Sequence, residues 1–189
     1  HAGARRQVTR LFGRLGWSPQ RLNSLVEALR NAQAAPGKDD ANAPLMPQTV
    51  SQRGWLGLPA STVAALAPHV SILPVRTPVN LNTAQLDVLW AAIDGIDLAG
   101  AQKLIAARES RHFRRSDDVK EVLGANMLWD DQLHAIASRY FEVRGRLRLG
   151  PSTVDELSLV RKDGTVATTL WRQRGVLDRD SAAAAQPLR

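Results

Sequence analysis

The hydrophobic period of the chain changes at Tyr140, and this change limits the possible folds more than any other feature of the sequence. Before Tyr140, apolar residues recur at helical spacing. After it, Phe141, Val143, Leu147 and Leu149 alternate with charged residues. This alternation is typical of a half-buried strand, with one face in the core and the other in water. We therefore expect an α+β protein with its helices first and a small antiparallel sheet last.

Two further strands are predicted in the C-terminal region. Residues 157–161 and 165–171 are rich in strand-forming side chains, and Asp163-Gly164 between them is a strong hairpin signal. Three strands covered on one face are only marginally stable by themselves. We therefore expect a helix that is absent from this chain, N-terminal to it, to cover the sheet.

The region before the sheet divides into parts of different composition. Residues 1–34 carry apolar stripes at helical spacing, whereas residues 35–60 are loop-rich, with many Ala, Pro, Asp, Asn and Gly. Residues 61–138 return to helical spacing, with short helices separated by tight turns. The predicted organisation is a helical domain over 1–138, the strands of the sheet over 139–175 and a tail over 176–189.

Capping residues predict where helices begin within residues 61–138. Asn82 followed by Gln85 has the spacing of an N-terminal cap with a partner that reaches back. Asp97 follows a tight turn and can cap the next helix. Asp130 is predicted to open a last helix before the sheet.

Composition excludes several classes of function. The 189 residues are 44% hydrophobic and 23% charged, as in an ordinary globular protein. Cysteine is absent, which excludes disulfides, thiol catalysis and cysteine-based zinc sites. The net charge of +7 is compatible with nucleic acid, anionic lipid or an acidic protein as partner, without choosing among them.

Catalytic motifs are also missing from the sequence. It contains no nucleophile elbow, phosphate loop or zinc-protease motif. The four histidines have no metal-ligand spacing, and we expect them to be surface or half-buried residues. We therefore predict a protein that is not an enzyme and has no catalytic residue and no cofactor.

The most specific string of the sequence begins at Thr77 and continues through a tight turn to Phe113. The motif residues, to which we assign a structural role, are Val79, Asn80, Leu81, Asn82, Thr83, Ala84, Gly95, Ile96, Arg108 and Phe113. This pattern resembles that of two families. One contains the helix-hairpin-helix DNA-binding modules of competence-type receptors, and the other is the type II secretion minor pseudopilin K, also called general secretion pathway protein K.

The chemistry of the hairpin favours the second family. A helix-hairpin-helix module holds DNA phosphate on backbone N–H groups at a helix N-terminus. Here Asp94 and Asp97 flank Gly95 and Ile96, and carboxylates at these positions would repel phosphate. No nucleic acid is therefore expected as a partner, and a DNA-binding protein of the competence-receptor type stays the alternative hypothesis.

The segments on both sides of the motif also resemble the pseudopilin K family. Residues 66–74 resemble its lead-in, residues 138–145 the strand that leaves its helical insert, and residues 161–174 its final hairpin. The resemblance covers residues 45–175. It implies a pseudopilin-type small antiparallel sheet with a large all-α, helix-hairpin-helix-like inserted domain, and an N-terminal anchor helix that is absent from this chain.

The resemblance also implies a location and partners. It places the chain in the periplasm, as part of a protein anchored in the inner membrane. The expected partners are the I-type and J-type minor pseudopilins, with other components of the type II secretion system. Together they would form the tip of a short pseudopilus, where the protein initiates or caps assembly for the export of folded proteins across the outer membrane.

Weaker candidates concern calcium and partner binding. Many members of the family have an acidic calcium loop before the motif, and here Asp39 and Asp40 are its nearest counterpart. Because calcium requires six to eight oxygen ligands, a solvated loop is the favoured interpretation. Candidates for partner binding are Trp55 and an arginine row on the first strand, for which a solvated edge-strand face is favoured. That row consists of Arg144, Arg146 and Arg148.

Overall fold

The computed structural model describes residues 2–34, 47–50, 52, 54, 57–124, 127–150 and 152–175. The helices are α1 (Ala2–Arg14), α2 (Pro19–Ala34), α3 (Ala60–Leu66), α4 (Leu86–Ala92), α5 (Leu98–Ser110) and α6 (Ser116–Leu123). The strands are β1 (Val79–Asn80), β2 (His134–Ala135), β3 (Tyr140–Leu149), β4 (Ser152–Asp163) and β5 (Val166–Gly175). The expected mixture of helices and a small antiparallel sheet is confirmed.

The chain divides into two compact units, His1–Ala137 and Ser138–Arg189. The first unit holds α1 to α6 with β1 and β2, and the second holds β3 to β5. The first unit is therefore not purely helical, because β1 and β2 lie within it. The interpretation of this unit as a domain inserted into a pseudopilin sheet remains a prediction.

Two hydrophobic clusters stabilise the first unit. One is shared by α1, α2 and α3, where Phe12 and Leu66 are almost inaccessible to solvent. The other is shared by α4, α5 and α6, where Leu81, Leu89 and Leu104 are fully buried. Burying each such side chain contributes about 1.5–3 kcal/mol. Because α1 also contacts α4, it joins the two clusters.

A short parallel pairing of β1 with β2 brings the start of the motif beside the end of the first unit. The Val79 N–H donates to the Leu133 carbonyl at 2.9 Å, and the Leu81 N–H donates to the Ala135 carbonyl at 2.8 Å. The prediction that Asp130 opens a helix is therefore wrong. Residues 131–133 form a turn, because β1 takes the backbone acceptors that a helix would use internally.

The strands β3, β4 and β5 form an antiparallel sheet in that order. Asp163 pairs with Val166, which leaves Gly164 and Thr165 as the two turn residues. Gly164 has a φ of +60°, and among the described residues only glycines have a positive φ. These signs fit a type II′ hairpin turn, which matches the twist of the strands. The predicted strands and hairpin are confirmed, and both strands are longer than predicted.

The apolar face of β3 is exposed. Phe141 is 45% exposed, Leu147 70% and Leu149 79%. Val154 on β4 pairs with Leu147 and is 45% exposed, so the patch extends across both strands. The prediction of a half-buried strand is therefore wrong for the described part of the chain. Apolar and charged residues do alternate along β3, as the sequence predicted. Among the described residues, however, no second layer covers the apolar face.

Candidate functional site

Asn82 connects three segments of the motif through its side chain. Its Nδ2 donates to the carbonyls of Phe113 at 2.9 Å and Ile136 at 2.8 Å, and its Oδ1 accepts from the Phe113 N–H at 3.0 Å. The prediction that Asn82 caps the following helix is wrong. The N-cap residue of α4 is Gln85, and the Asn82 amide is already fully used by tertiary contacts.

Arg108 reaches from α5 to the other side of the same turn. Its Nη1 donates to the carbonyls of Leu81 at 2.8 Å and Ala84 at 2.7 Å. Burial lowers the pKa of the Arg108 guanidinium, and the charge of Glu109 partly opposes this effect. A guanidinium nevertheless stays charged in proteins. The charged guanidinium of Arg108 therefore donates its hydrogen bonds to carbonyls of the chain's own backbone.

The turn between α4 and α5 has its polar groups occupied. Asp97 Oδ1 accepts from the Gly100 N–H at 2.7 Å, which confirms the predicted cap of α5. Gly95 in this turn has a φ of +83°, a backbone conformation that residues other than glycine rarely adopt. Asp94 lies 2.8 Å from Arg10 and 3.8 Å from Arg6. A phosphate group at the N-terminus of α5 would meet the carboxylates of Asp94 and Asp97. The Gly100 N–H there already donates to Asp97.

The first helix binds the C-terminal end of α4. Arg10 donates to the carbonyls of Trp90 at 2.6 Å and Ile93 at 2.9 Å, and Gln7 donates to that of Ala92 at 2.9 Å. Carbonyls at a helix end have no partner within the helix, so these bonds satisfy groups that otherwise need water. The Arg10 guanidinium also lies 4.7 Å from the centre of the Trp90 ring, in a cation–π contact.

His134 joins β2 to the same end of α4. Its side chain is buried, its Nδ1 accepts from the Asp130 N–H at 3.2 Å, and its Nε2 lies 3.0 Å from the Ala92 carbonyl. The first bond leaves Nε2 as the protonated nitrogen, which donates to Ala92. The expectation of a surface or half-buried residue is therefore wrong for His134.

The remaining candidates are the residues predicted for calcium and for partner binding. Asp39, Asp40 and Trp55 fall outside the described residues. In the arginine row, Arg146 pairs with Asp155 at 2.6 Å, the Nε of Arg148 lies 3.3 Å from the Gly150 carbonyl, and Arg144 is exposed. Across the described ranges there is no group of three or more potential metal ligands.

Sequence reasoning missed the roles of Arg10, Gln7 and His134. The contacts of these residues with α4 and the residue after it span more than forty positions, and no local spacing identifies them.

Within the described part of the chain, no helix is long and apolar enough to cross a membrane.

The polar groups of this motif are directed at the chain's own backbone. The arrangement defines an α+β protein with a helix-hairpin-helix-like turn that offers carboxylates where a DNA-binding hairpin offers free N–H groups.

Comparisons with known proteins are consistent with this description. The family described as "Type II secretion system (T2SS), protein K" matches residues 79–134. Type II secretion system protein K of Pseudomonas aeruginosa is 30% identical in an alignment of 181 residues, and the match covers 85% of this chain and 54% of that protein. The fold is similar to that of one chain in the crystal structure of the GspK-GspI-GspJ complex from the type 2 secretion system of enterotoxigenic Escherichia coli. That match has a TM-score of 0.59 and 19% identity, and covers 90% of this chain and 69% of the other.

Residues 79–134 match the protein K family, and 85% of the chain is similar to one of its members, in agreement with the resemblance found in the motif and its flanking segments. The chain spans about half the length of the Pseudomonas relative.

Proposed function

We propose that this chain is the periplasmic region of a K-type minor pseudopilin, which assembles with I-type and J-type minor pseudopilins at the tip of the type II secretion pseudopilus. The relation to protein K over 85% of the chain carries the proposal. The fold shared with one chain from the structure of a GspK-GspI-GspJ complex supports it. At the tip, the protein initiates or caps assembly for the export of folded proteins. Its role is structural and interactive, without catalysis.

The exposed face of the sheet supports a membrane-anchored whole protein. Monomeric soluble proteins rarely expose large contiguous apolar patches. An N-terminal anchor helix of the whole protein would cover this face and join it to the inner membrane. The exposed apolar residues on the face are Phe141, Val143, Leu147, Leu149 and Val154.

The tip role is tested by reconstitution. The purified chain is mixed with the soluble I-type and J-type minor pseudopilins of the same organism, and the mass of each species is measured by size-exclusion chromatography with light scattering. We expect one ternary species, heavier than any pair. If the chain elutes alone at micromolar concentrations of all three proteins, the proposed role is wrong.

The covering helix is tested with charges placed on either face of the sheet. Val143→Glu with Leu147→Glu should leave the stability of this chain within about 0.5 kcal/mol, because both side chains are exposed. In the full-length protein, the same pair should reduce stability and assembly, because the charges would become buried. The control pair is Thr153→Glu with Gln173→Glu, on the opposite face. Equal effects of both pairs in the full-length protein would contradict the covering helix.

No observation on the hairpin favours the alternative of a DNA-binding protein. We expect no tight binding of duplex DNA at physiological salt. Binding with a steep dependence on salt, lost on substitution within residues 94–100, would overturn the structural role of the hairpin.

A further inference from the structure

The loop between α5 and α6, residues 111–115, presents several basic side chains around one buried ring. We call it the basic loop. Arg111, His112, Arg114 and Arg115 are exposed, whereas Phe113 is only 5% exposed and packs in the second hydrophobic cluster. Three guanidinium groups and an imidazole are thereby gathered on one short surface segment.

The backbone of the basic loop is held at its centre and at its C-terminal end. Asn82 binds both the N–H and the carbonyl of Phe113. The N–H groups of Arg114 and Arg115 both donate to Oδ2 of Asp118, at 2.6 Å and 3.0 Å. A partner that binds here would not need to order the backbone, and this ordering is a substantial cost of binding at flexible loops.

The positive charge of the basic loop is only weakly compensated. Among the described residues, its one ion pair joins Arg115 to Asp118 at 4.0 Å, and the Arg115 side chain is 71% exposed. A second neighbouring carboxylate, that of Asp117, lies 3.5 Å from Lys120. Glu109 interacts with Arg108, whose guanidinium faces the interior. An excess of positive charge therefore faces solvent at this loop.

We propose that the basic loop binds a protein segment with neighbouring carboxylates. Arginine presents a planar fork of donors that pairs with carboxylate oxygens in a bidentate manner. This surface lies on a different segment from the sheet face, and its assignment does not rest on the proposed pseudopilus role.

Duplex DNA and membranes fit this loop less well. Proteins that bind DNA through phosphates usually neutralise several of them along the backbone, and this loop carries three guanidinium groups. The carboxylates of Asp94 and Asp97 in the same unit also disfavour a polyanion. Basic segments that bind anionic membranes commonly contain about four to eight Lys or Arg. The one apolar aromatic ring of the basic loop, that of Phe113, is buried and is therefore not available for insertion into lipid.

The test uses a short fluorescein-labelled peptide with repeated Glu-Glu pairs, and its Gln-Gln analogue. Binding to the chain is followed at low salt by fluorescence anisotropy, and backbone amide chemical shifts locate the peptide. The loop variant is Arg111→Gln with Arg114→Gln and Arg115→Gln. The control variant removes the same charge from three other exposed arginines, with Arg6→Gln, Arg30→Gln and Arg76→Gln. Circular dichroism and thermal unfolding verify that both variants fold.

We expect the Glu peptide to bind the unaltered chain and the control variant about equally, and the loop variant about tenfold more weakly. The Gln peptide should not bind, and the shift changes should centre on residues 111–118. An equal loss in both variants would show that binding follows net charge alone and would overturn the proposal. Absence of saturable peptide binding would also overturn it. So would a loop-dependent preference for duplex DNA or for phosphatidylserine vesicles over the Glu peptide.

Discussion

The side chain of Asn82 holds the backbone of Phe113 from both sides, by donating to its carbonyl at 2.9 Å and accepting from its N–H at 3.0 Å. The two residues are 31 positions apart, so the pair fixes the basic loop relative to the start of α4. A third bond, to the carbonyl of Ile136, adds the segment that leads out of the first unit. A helix cap, by contrast, would bind only backbone N–H groups in the first turn of its own helix.

Asn82→Ala should lower the free energy of unfolding by about 2–3 kcal/mol, because the substitution leaves buried or half-buried backbone groups of Phe113 and Ile136 without partners. Asn80→Ala is the matched control, since Asn80 makes one local bond, from the Asn82 N–H at 3.1 Å, and should cost about 0.5–1 kcal/mol. Urea titrations of both variants measure the difference. Similar losses would show that the long-range contacts add little.

Arg10→Met should lower the free energy of unfolding by about 2 kcal/mol, because it keeps most of the side-chain volume but loses the donors to Trp90 and Ile93. Arg10→Lys should restore only part of this loss, since one ammonium group does not reproduce the planar fork. Amide hydrogen exchange should become faster across α1 in both variants.

The control for this prediction is Arg6→Met. The Arg6 side chain is 69% exposed and lies 3.8 Å from Asp94, so its removal should change stability by less than about 0.5 kcal/mol. If Arg6→Met costs as much as Arg10→Met, the backbone contacts of Arg10 are not what stabilises the hairpin.

Gly95→Ala should lower the free energy of unfolding by about 1–2 kcal/mol. The cost comes from the φ of +83°, because no heavy atom lies within 4 Å of the position that a Cβ would occupy. Gly13→Ala is the matched control, since Gly13 lies in α1 with equal space around it, and alanine there should stabilise the helix by up to about 1 kcal/mol. Thermal unfolding of both variants tests the contrast in sign.

Asp118 should make part of the free energy of unfolding depend on pH in the acid range. The hydrogen bonds from the Arg114 and then the Arg115 backbone N–H lower the pKa of Asp118, burial opposes them, and the charges of Arg115 and Arg111 add to the lowering. A folded-state pKa below the unfolded value gives stability that is present above the unfolded pKa, near 4, and lost as pH falls through the folded pKa.

Asp118→Asn should therefore flatten the loss of stability on acidification below about pH 4. The control is Asp117→Asn, whose carboxylate lies 3.5 Å from Lys120 with 61% of its side chain exposed. Urea titrations across acid pH give the two profiles. An unchanged profile for Asp118→Asn would exclude this carboxylate as a source of the acid sensitivity.

Much of the local structure could be predicted because it depends on neighbouring residues. Alternation of apolar and charged side chains after Tyr140 predicted β3, and the Asp-Gly pair predicted the hairpin that ends at Val166. The Asp97 cap was predictable because it needs only the Gly100 N–H three positions ahead. The same reasoning failed at Asp130, where the apolar spacing was too short to separate a helix from a turn.

The basic loop illustrates a signal that was visible but unused. Its four basic residues stand within five positions of the sequence. Their interpretation as a binding surface depends on the burial of Phe113 and on the weak neutralisation of their charge by Asp118. Neither of these follows from the sequence alone.

The sequence by itself predicted helices before Tyr140, three strands with a hairpin after it, and the resemblance to the protein K family, because periodicity, turn residues and motif strings act over a few positions. Tertiary structure alone decided that Asn82 holds Phe113, that Arg10 closes the end of α4 and that His134 is buried against Ala92. It also decided that the apolar face of β3 is exposed in this chain. Such contacts join distant segments, and only the folded backbone brings their donors and acceptors within bonding distance.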